Sequence, residues 1–387
     1  MLMGALNDWR EVRLEDVCER ITVGHVGSMA NEYVSEGIPF LRSQNITPFK
    51  VDLRDVKYIT SEFNEKLKKS ALKPGDVAVV RTGYPGTAAV IPRALMVSNC
   101  SDLVIIRPGE EIDSWFLSCL FNSVWGKSMV AGNLVGVAQQ HFNVGAAKNL
   151  RIRLPPIQIQ QTIASILRNY DDLIENNTRR IEILEEMARR LYAEWFVQFR
   201  FPGHEEKQLA FEQLNIFDIF SVRYGKGLSK KELINGGEFP VYGAAKVIGH
   251  YHSYTYADRQ IIAGCRGSVG EFRITEPKSF VTNNSFVFLP RASVDFFWGY
   301  QALKMRGLKD VIGGAAQPQI TLDALQSISI PYPSNELREA YSDSVSPLFS
   351  MVWNLERKNK NLRTQRDLLL PKLISGEIDV SDIPMPT

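Results

Sequence analysis

The sequence predicts an α+β fold in which two similar globular domains are separated by two long helices that form an antiparallel coiled coil. Three observations predict it. Part of the chain repeats without a gap 178 positions later, each copy ends in a long amphipathic segment, and each copy contains short β-rich runs between polar turns. We therefore expect an internal pseudo-two-fold repeat.

The repeat can be followed through eight pairs of residues. Ala138, Gln139, Pro155, Ile159, Ile163, Tyr170, Leu184 and Leu191 recur as Ala316, Gln317, Pro333, Leu337, Tyr341, Leu348, Leu362 and Leu369. All pairs have the same spacing, so no insertion separates the two copies. A match of this span indicates a duplicated unit, and a chain with two such units is suited to contacting two places at once.

The segments before the long helices predict the α+β domains. The matching elements are strands at 76–80 and 102–106 with a helix at 115–125 in the first domain, and strands at 261–263 and 285–289 with a helix at 296–305 in the second. The order of elements is kept while the residues differ. This pattern favours one scaffold with two different ligands.

The first long helix is predicted from Ile159 to Trp195, where apolar residues follow three-four spacing and polar residues fill the other faces. Such a helix has about 37 residues and a length of about 55 Å. Pro155 and Pro156 precede it, and the segment Phe201-Pro202-Gly203 ends it.

The second long helix is predicted from Leu337 to Leu369, ending at Pro371. A long helix with one exposed apolar stripe is unstable in water, and antiparallel packing of the two helices buries both stripes. Asn177 and Asn359 fall on the two stripes, either as solvated amides at the edge or as a buried amide that fixes the register. The expected boundaries are 1–154 and 201–332 for the two domains, 155–200 for the first helix, and 333–387 for the second helix and tail.

Composition limits the class of protein. With 387 residues and 44% hydrophobic content the chain can fill two or three ordinary cores. It shows neither a secretion signal nor a stretch of about 18 apolar residues, so we expect a cytoplasmic protein without membrane contact. The net charge of +2 is low for a protein that holds a phosphate backbone unaided. Either the partner is not nucleic acid, or other subunits supply positive charge.

Chemistry-bearing motifs are missing from the sequence. Cys18, Cys100, Cys119 and Cys265 are isolated, which indicates buried free thiols rather than a disulfide or a metal site. The sequence also has no P-loop, no His-Glu-x-x-His and no Gly-x-Ser-x-Gly. We expect a chain without catalytic residues, cofactor or metal.

Two glycine-rich turns are the first candidates for a binding site. The segment 81–86 follows a strand in the first domain, and 266–270 occupies the same place in the second. Glycine lets a backbone approach a ligand closely, and arginine can bond phosphate or guanine. The candidate residues are Arg81, Thr82, Tyr84, Arg266 and Ser268. The alternative is a tight β-turn without a ligand.

Polar clusters are the second candidates, because arginine pairs with guanine while asparagine and glutamine pair with adenine. They comprise Arg42, Ser43, Gln44 and Asn45, with Tyr242 and Lys246 as the counterpart in the second domain, and Gln139 and Gln140, with Gln317 and Gln319 as their counterpart. The alternative for each cluster is capping and turn chemistry.

Six short sequence segments, taken in order within the repeat, resemble the specificity subunit of type I restriction-modification systems. They are FLRSQNI at 40–46, LKPGDV at 72–77, YDDLIENN at 170–177, EWFVQF at 194–199, GKG at 225–227 and PKLISGEI at 371–378. The resemblance covers nearly the whole chain.

The resemblance implies a non-catalytic subunit with two target recognition domains, each reading one half of a bipartite site in double-stranded DNA. The two helices would serve as the spacer and as the docking surface for two methyltransferase subunits, alongside restriction and translocase subunits. S-adenosylmethionine and ATP would belong to those partners. The partner-facing residues we expect are Tyr170, Trp195, Phe196 and Phe199. The alternatives are a two-domain adaptor for protein ligands and a nuclease-methyltransferase fusion.

Overall fold

The structure is a computed structural model that describes residues 9–135, 141–203, 211–314 and 317–383. It divides into two compact units. Unit 1 runs up to Thr178 and resumes at Arg357, and unit 2 comprises Arg179–Glu356. The divisions fall inside the two long helices, so each helix contributes one part of its length to each unit. The boundaries expected at 154, 200 and 332 divide the chain by type of element and stay a prediction.

Unit 1 is built from short strands around two larger sheets. Its strands are β1 Arg10–Arg13, β2 Cys18–Val23, β3 Ile38–Leu41, β4 Ile46–Thr47, β5 Lys50–Val51, β6 Lys57–Ile59, β7 Ala71–Leu72, β8 Val77–Val80, β9 Ala88–Val90, β10 Ser98–Cys100, β11 Leu103–Pro108 and β12 Arg151–Leu154. Its helices are α1 Ser61–Lys66, α2 Ser114–Asn122, α3 Val124–Gly132 and α4 Val144–Asn149, followed by the start of α5 Ile157–Tyr192. The sheet orders are β2-β11-β8-β9 and β6-β3-β10-β7, with the smaller pairs β1-β12 and β4-β5.

Unit 2 repeats this arrangement. Its strands are β13 Glu212–Asn215, β14 Phe220–Tyr224, β15 Phe239–Gly243, β16 Lys246–Tyr251, β17 Ile261–Gly264, β18 Phe272–Ile274, β19 Phe280–Val281, β20 Ser285–Pro290 and β21 Ser329–Tyr332. Its helices are α6 Ile216–Ile219, α7 Asp295–Arg306 and α8 Leu322–Leu325, followed by α9 Asn335–Ser375, which crosses into unit 1. The sheet orders are β14-β20-β17-β18, β16-β15-β19 and β13-β21.

The two units share their topology, which confirms the predicted α+β duplication. In each unit a four-stranded antiparallel sheet lies beside a sheet with one parallel pair, β3 with β10 and β15 with β19. Single antiparallel bridges join Val135 to His141 in unit 1 and Gly313 to Gln319 in unit 2. Those two bridges differ by the 178 positions of the sequence repeat.

The helix predicted at 115–125 is two helices, α2 and α3, which is a correction. Ser123 leaves the helical conformation, and its hydroxyl accepts a hydrogen bond of 3.0 Å from the Gly126 N–H at the start of α3. Serine at this position competes for backbone hydrogen bonds and begins a new helix. The corresponding α7 in unit 2 is a single helix of 12 residues.

The first long helix, α5, has 36 residues and continues as a π-helical turn over Ala193–Val197. The second, α9, has 41 residues and runs through Pro371, where the sequence predicts its end. Proline removes one backbone hydrogen bond. Leu370, Leu373 and Ile374 are buried in the core of unit 1, and that burial holds the helix on both sides of the proline.

Within each unit the two long helices pack antiparallel. In unit 1, Asp171 of α5 pairs with Arg366 of α9, and the later Asn177 pairs with the earlier Asn359. In unit 2, Leu184 packs with Val352 and Leu355, while the Tyr341 hydroxyl donates to the carbonyl of Ala188 at 2.9 Å. Supercoiling of the pair stays a prediction.

Asn177 and Asn359 form the buried amide contact, the second of the two interpretations. The Asn177 amide donates to Asn359 Oδ1 at 2.9 Å, the Asn359 amide donates to the carbonyl of Ile174 at 3.3 Å, and Asn359 is only 3% exposed. The repeat maps these two asparagines onto Leu355 and Ile181, which share an apolar cluster in unit 2. Equivalent positions are therefore polar in one unit and apolar in the other.

The cysteines are free, as the sequence predicts. Cys100, Cys119 and Cys265 are buried and Cys18 is half-buried. Burial raises the pKa of the Cys18 thiol to about 12 and raises that of Cys100 and Cys119 as well, which favours the neutral thiol over the thiolate. Within the described ranges, no helix is long and apolar enough to cross a membrane.

We predict that changing the asparagine pair lowers stability mainly when only one of the two residues is replaced. Asn359→Ala leaves the half-buried Asn177 amide without its acceptor and should lower the free energy of unfolding by about 1–3 kcal/mol. Replacing both by the residues at the equivalent positions, Asn177→Leu with Asn359→Ile, should be neutral or stabilising because no amide is then stranded. Urea unfolding of the full chain measures both.

Asn176→Ala is the matched control, because Asn176 lies on the exposed side of α5 and should change stability by less than about 0.5 kcal/mol. An Asn359→Ala loss no larger than this control would show that the amide pair does not support the helix contact.

Candidate nucleic-acid interface

Four strand ends meet at one edge of unit 1, which we call recognition edge 1 (residues 25, 42–45, 81–86 and 101–102). Because β3 and β10 are parallel, their carboxyl ends lie side by side, and the Ser101 N–H donates to the carbonyl of Leu41 at 3.0 Å. Val80 at the end of β8 pairs with Leu103, which brings Arg81 beside Asp102. His25 completes the edge through a parallel bridge to Ser101.

Asp102 holds two of the candidate residues at this edge. Its carboxylate accepts 2.9 Å from Arg81 Nη1 and 2.8 Å from the Thr82 hydroxyl. Arg81 also donates through Nε to the carbonyl of Phe142 at 3.2 Å. The half-buried Arg81 therefore fastens its own loop to Asp102 and Phe142, and Thr82 is fixed with it.

The Arg42 cluster is a single 3₁₀ turn whose members have different roles. Asn45 is buried, accepts the Arg42 backbone N–H at 3.0 Å and donates to the carbonyl of Asp52 at 2.9 Å, so it matches the capping alternative. Arg42 donates to the carbonyl of Asp55 at 2.7 Å, and the exposed Gln44 donates to the Asp55 carboxylate at 2.7 Å. Ser43 is half-buried within the turn.

The glycine-rich turn of unit 1 presents one aromatic side chain to solvent. The loop closes with a hydrogen bond of 3.0 Å from the Gly86 N–H to the carbonyl of Val80, and Gly83 and Gly86 have φ of +83° and +86°. Those angles favour glycine. Tyr84 lies between them and is 84% exposed. The candidates Gln139 and Gln140 lie outside the described residues.

Unit 2 has the same edge, which we call recognition edge 2 (residues 226, 265–270, 282–284 and 317–319). The Thr282 N–H donates to the carbonyl of Tyr242 at 2.9 Å, and Lys226 forms a parallel bridge with Thr282 where His25 meets Ser101 in unit 1. Arg266 forms an antiparallel bridge with Gln319, so the glycine-rich turn and the glutamine segment are neighbours.

The glycine-rich turn of unit 2 is shifted by one residue from the alignment of 266–270 with 81–86 that the sequence predicts. The closing bond runs from the Gly270 N–H to the carbonyl of Gly264 at 2.8 Å, which aligns Gly264 with Val80. Arg266 is therefore the counterpart of Thr82, and Cys265 stands where Arg81 does. Backbone hydrogen bonds set the register, and the shared arginine is a coincidence of sequence. Ser268, half-buried, takes the place of Tyr84.

Tyr242 and Lys246 are not the counterpart of the Arg42 cluster. Tyr242 is 1% exposed, stands at the position of Leu41, and its hydroxyl accepts the backbone N–H of Glu276 at 3.0 Å. Burial raises the pKa of this phenol above its ordinary value. Lys246 is exposed on β16 and forms a surface ion pair of 3.4 Å with Glu271.

Recognition edge 2 presents free polar side chains. Six exposed residues line it, namely Lys226, Arg266, Asn283, Asn284, Gln317 and Gln319. Among the residues that the structure describes, none of these six side chains makes a hydrogen bond or an ion pair. In edge 1, carboxylates instead hold Arg42, Gln44, Arg81 and Thr82. Asn283 and Asn284 of edge 2 occupy the segment that Asp102 occupies in edge 1.

Sequence reasoning missed several members of these edges. His25, Asp102, Lys226, Asn283 and Asn284 each follow a short strand. The last two fall in the polar run 282–285, but no local pattern places that run at a shared edge. The signal that could have found them is the parallel pairing of β3 with β10 and of β15 with β19, which no local pattern reveals.

Two of the expected partner-facing residues are buried, which is a correction. Trp195 is 8% and Phe196 is 5% exposed, and both pack against Tyr341 in the core of unit 2. Both side chains belong to the core in which α9 packs against the end of α5, so the helix contact within unit 2 covers them. Phe199 is 44% exposed and Tyr170 is half-buried.

A duplicated α+β unit with a polar strand-end edge in each copy defines a protein with two recognition domains. The chain belongs to the type I restriction modification DNA specificity domain family, whose model matches residues 7–186 and again residues 210–363.

Individual proteins show the same likeness along the whole chain. The type I restriction enzyme MjaIX specificity subunit of Methanocaldococcus jannaschii is 22% identical, over 97% of this chain and 95% of that protein. The HindI specificity subunit of Haemophilus influenzae is 23% identical, over 96% of this chain and 100% of that protein. The crystal structure of an S subunit from M. genitalium has the same fold, with a TM-score of 0.60 and 19% identity over 96% of this chain and 98% of that one.

We predict that Asp102 holds edge 1 together and that the matching position in edge 2 does not. Asp102→Ala leaves the half-buried Arg81 and the Thr82 hydroxyl without their acceptor, and should lower the free energy of unfolding by roughly 1–3 kcal/mol. Hydrogen exchange at the Phe142 amide, which donates to the carbonyl of Arg81, should quicken.

Asn283→Ala is the matched control and should change stability by less than about 0.5 kcal/mol, because its side chain is exposed. Equal losses for the two variants would mean that Asp102 does not organise the edge.

Proposed function

We propose that the chain is the DNA-recognition subunit of a type I restriction-modification complex, and that recognition edges 1 and 2 each read one half of a bipartite site in double-stranded DNA. The observation that supports this most is the repetition of one edge, built by the same backbone contacts, with different side chains in each copy. A scaffold that repeats while its surface residues change suits two unlike half-sites.

Edge 2 has the side chains that direct readout requires. Arg266 suits the acceptor pair of guanine, and Asn283, Asn284 and Gln319 suit the donor and acceptor of adenine. Lys226 suits a phosphate. Because these groups have no partner among the described residues, a base edge can meet them without first breaking a protein contact.

Edge 1 presents fewer free groups and fixes the ones it has. Tyr84 offers an exposed ring and hydroxyl at the tip of its loop, and Gln44 is exposed with its amide oriented by Asp55. Arg42 is held in place by the same aspartate. Such prior ordering lowers the entropy that the side chains lose on binding.

The remaining parts of the complex would come from partners. The net charge of +2 is too low to hold a duplex alone, so methyltransferase subunits would supply positive charge as well as S-adenosylmethionine chemistry. We assign the recognition domains to 1–154 and 201–332, and the helical segments 155–200 and 333–387 to docking of two methyltransferase subunits. Restriction and translocase subunits would join that assembly, and this chain would contribute no catalytic group.

We predict that substitutions act by half-site. In the assembled complex, Arg266→Ala or Asn284→Ala should weaken discrimination in one half-site by about 1–3 kcal/mol per lost base contact, and leave the other half-site unchanged. Tyr84→Ala and Gln44→Ala should affect only the first. Sequencing the duplexes retained from a randomised library gives both preferences at once.

Lys231→Ala serves as the control, because Lys231 is an exposed cation of unit 2 that is not among the residues of edge 2. If one substitution shifted both half-sites equally, the assignment of one unit to one half-site would be wrong.

We predict that the long helices set the spacing between half-sites. Inserting four residues after Thr178 and four after Glu356 lengthens both helices by ~6 Å and rotates each by about 40°, which roughly preserves the packed faces. The preferred spacer should grow by one or two base pairs, at ~3.4 Å each, with both half-site sequences unchanged.

Two-residue insertions at the same places rotate the faces by about 200° and should abolish assembly. An unchanged spacer in an assembled four-residue variant would refute the spacing role, although each edge could still read its half-site.

A further inference from the structure

A small hairpin connects recognition edge 1 to the long helices within unit 1. The turn that carries Arg42 leads directly into β4, and β4 pairs with β5 through the two-residue tip Pro48-Phe49. Phe49 has φ of +67°, a conformation that residues with a side chain rarely adopt. A phenylalanine in that conformation indicates that its side chain has a role at that place.

The Phe49 ring packs under an arginine of α9. Phe49 is 7% exposed, and the guanidinium of Arg366 lies 4.8 Å from the ring centroid. The same guanidinium pairs with the Asp171 carboxylate of α5, and both members of that pair are largely buried. Beside it, Lys50 Nζ lies 3.5 Å from Glu175 Oε1. These five residues form what we call the Phe49 joint.

Arginine is the residue type that this joint requires. A planar guanidinium can lie on an aromatic face while its edge bonds a carboxylate, whereas the ammonium of lysine is a compact point charge that stacks poorly. Arg366 therefore joins three segments at once, namely the hairpin tip, α5 and its own helix α9.

The hairpin between the joint and Arg42 is held firmly. The Phe49 N–H donates to the carbonyl of Ala88 at 3.0 Å, which fixes the tip to β9. At the other end, the buried Asn45 bonds Asp52, and Asp55 holds both Arg42 and Gln44. The position of the tip on the helices thus sets the position of the reading residues.

Unit 2 has a joint of the same kind built from other residues. Arg259 lies 3.8 Å from the ring centroid of Trp353 on α9, and Arg273 Nη2 lies 3.7 Å from Glu356 Oε1 on the same helix. Here the cation comes from the globular part and the ring from the helix, the reverse of unit 1. Two unlike solutions to one contact indicate that fastening each globular part to the helices matters.

We propose that Phe49, Arg366 and Asp171 are positioning residues for DNA readout, which hold the Arg42 cluster at a fixed place on the long helices and so determine preference in the first half-site. The inference rests on the proposed function. None of the three residues would need to touch DNA.

The test uses the full chain assembled with its methyltransferase subunits and a library of randomised duplexes. Arg366→Met keeps the length of the stem but removes the stacked charge, and Phe49→Gly removes the ring while permitting the left-handed backbone. Each should reduce preference in the first half-site by about tenfold, comparable to the loss of one good base contact, and leave the second half-site unchanged. Arg366→Lys should fall between Arg366→Met and the native chain, and Phe49→Tyr should be close to native.

Arg363→Met is the matched control, because Arg363 is an exposed arginine one turn away on α9. The second half-site is an internal reference, since general destabilisation would weaken both halves together. Unchanged preference in the first half-site for the assembled Arg366→Met and Phe49→Gly complexes would overturn the positioning role, while the proposed function would stand. If the native complex enriched no bipartite sequence, the proposed function would fail and the inference with it.

Discussion

The structure depends on burial of the apolar stripes of the two long helices. Each stripe completes the core of a unit that is assembled from distant parts of the chain. In unit 1, Ile163 of α5 and Leu370 of α9 lie in the same core as the main sheet, and in unit 2 Ala188 and Tyr341 do the same. Neither core can close without both helices, so the contacts that pair the helices also form the units that carry the recognition edges.

Duplication preserved positions and allowed their chemistry to change. Gln160 and Arg338 are repeat equivalents, both buried, and each donates to the carbonyl of the proline five residues earlier. Gln160 also accepts the backbone N–H of Asp113 at the start of α2, whereas Arg338 pairs with the carboxylate of Asp295 at the start of α7. A neutral amide in unit 1 and a buried ion pair in unit 2 thus make the same connection between a long helix and an earlier helix of the same unit. The recognition edges likewise keep their backbone contacts while their side chains differ.

The sequence predicts this fold from the spacing of its apolar residues. That spacing indicates which face of a helix or strand is buried but does not show which element packs against it. The repeat, the two long helices and four of the strands follow from it, while Trp195 and Phe196, expected at a partner surface, lie in the core of unit 2. The helix end predicted at Pro371 is wrong because the proline removes only one backbone hydrogen bond. The burial of Leu370 and Leu373 outweighs that loss. Arg81 and Arg266 share a residue type without sharing a backbone position. The edges themselves depend on parallel strand pairing between distant segments, which local patterns do not encode.

The carboxylates at edge 1 bear on how such a surface would recognise DNA. Asp55 and Asp102 place negative charge beside the groups that would face a polyanion, which lowers attraction at long range. They also fix Arg42, Gln44 and Thr82 in one orientation, and a hydrogen bond weakens steeply when its angle is poor. Under the proposed function, the carboxylates lower the non-specific affinity of this edge for DNA and raise its specificity for particular bases. Under that function, a chain with a net charge of +2 would depend on other subunits for the attraction to the phosphate backbone.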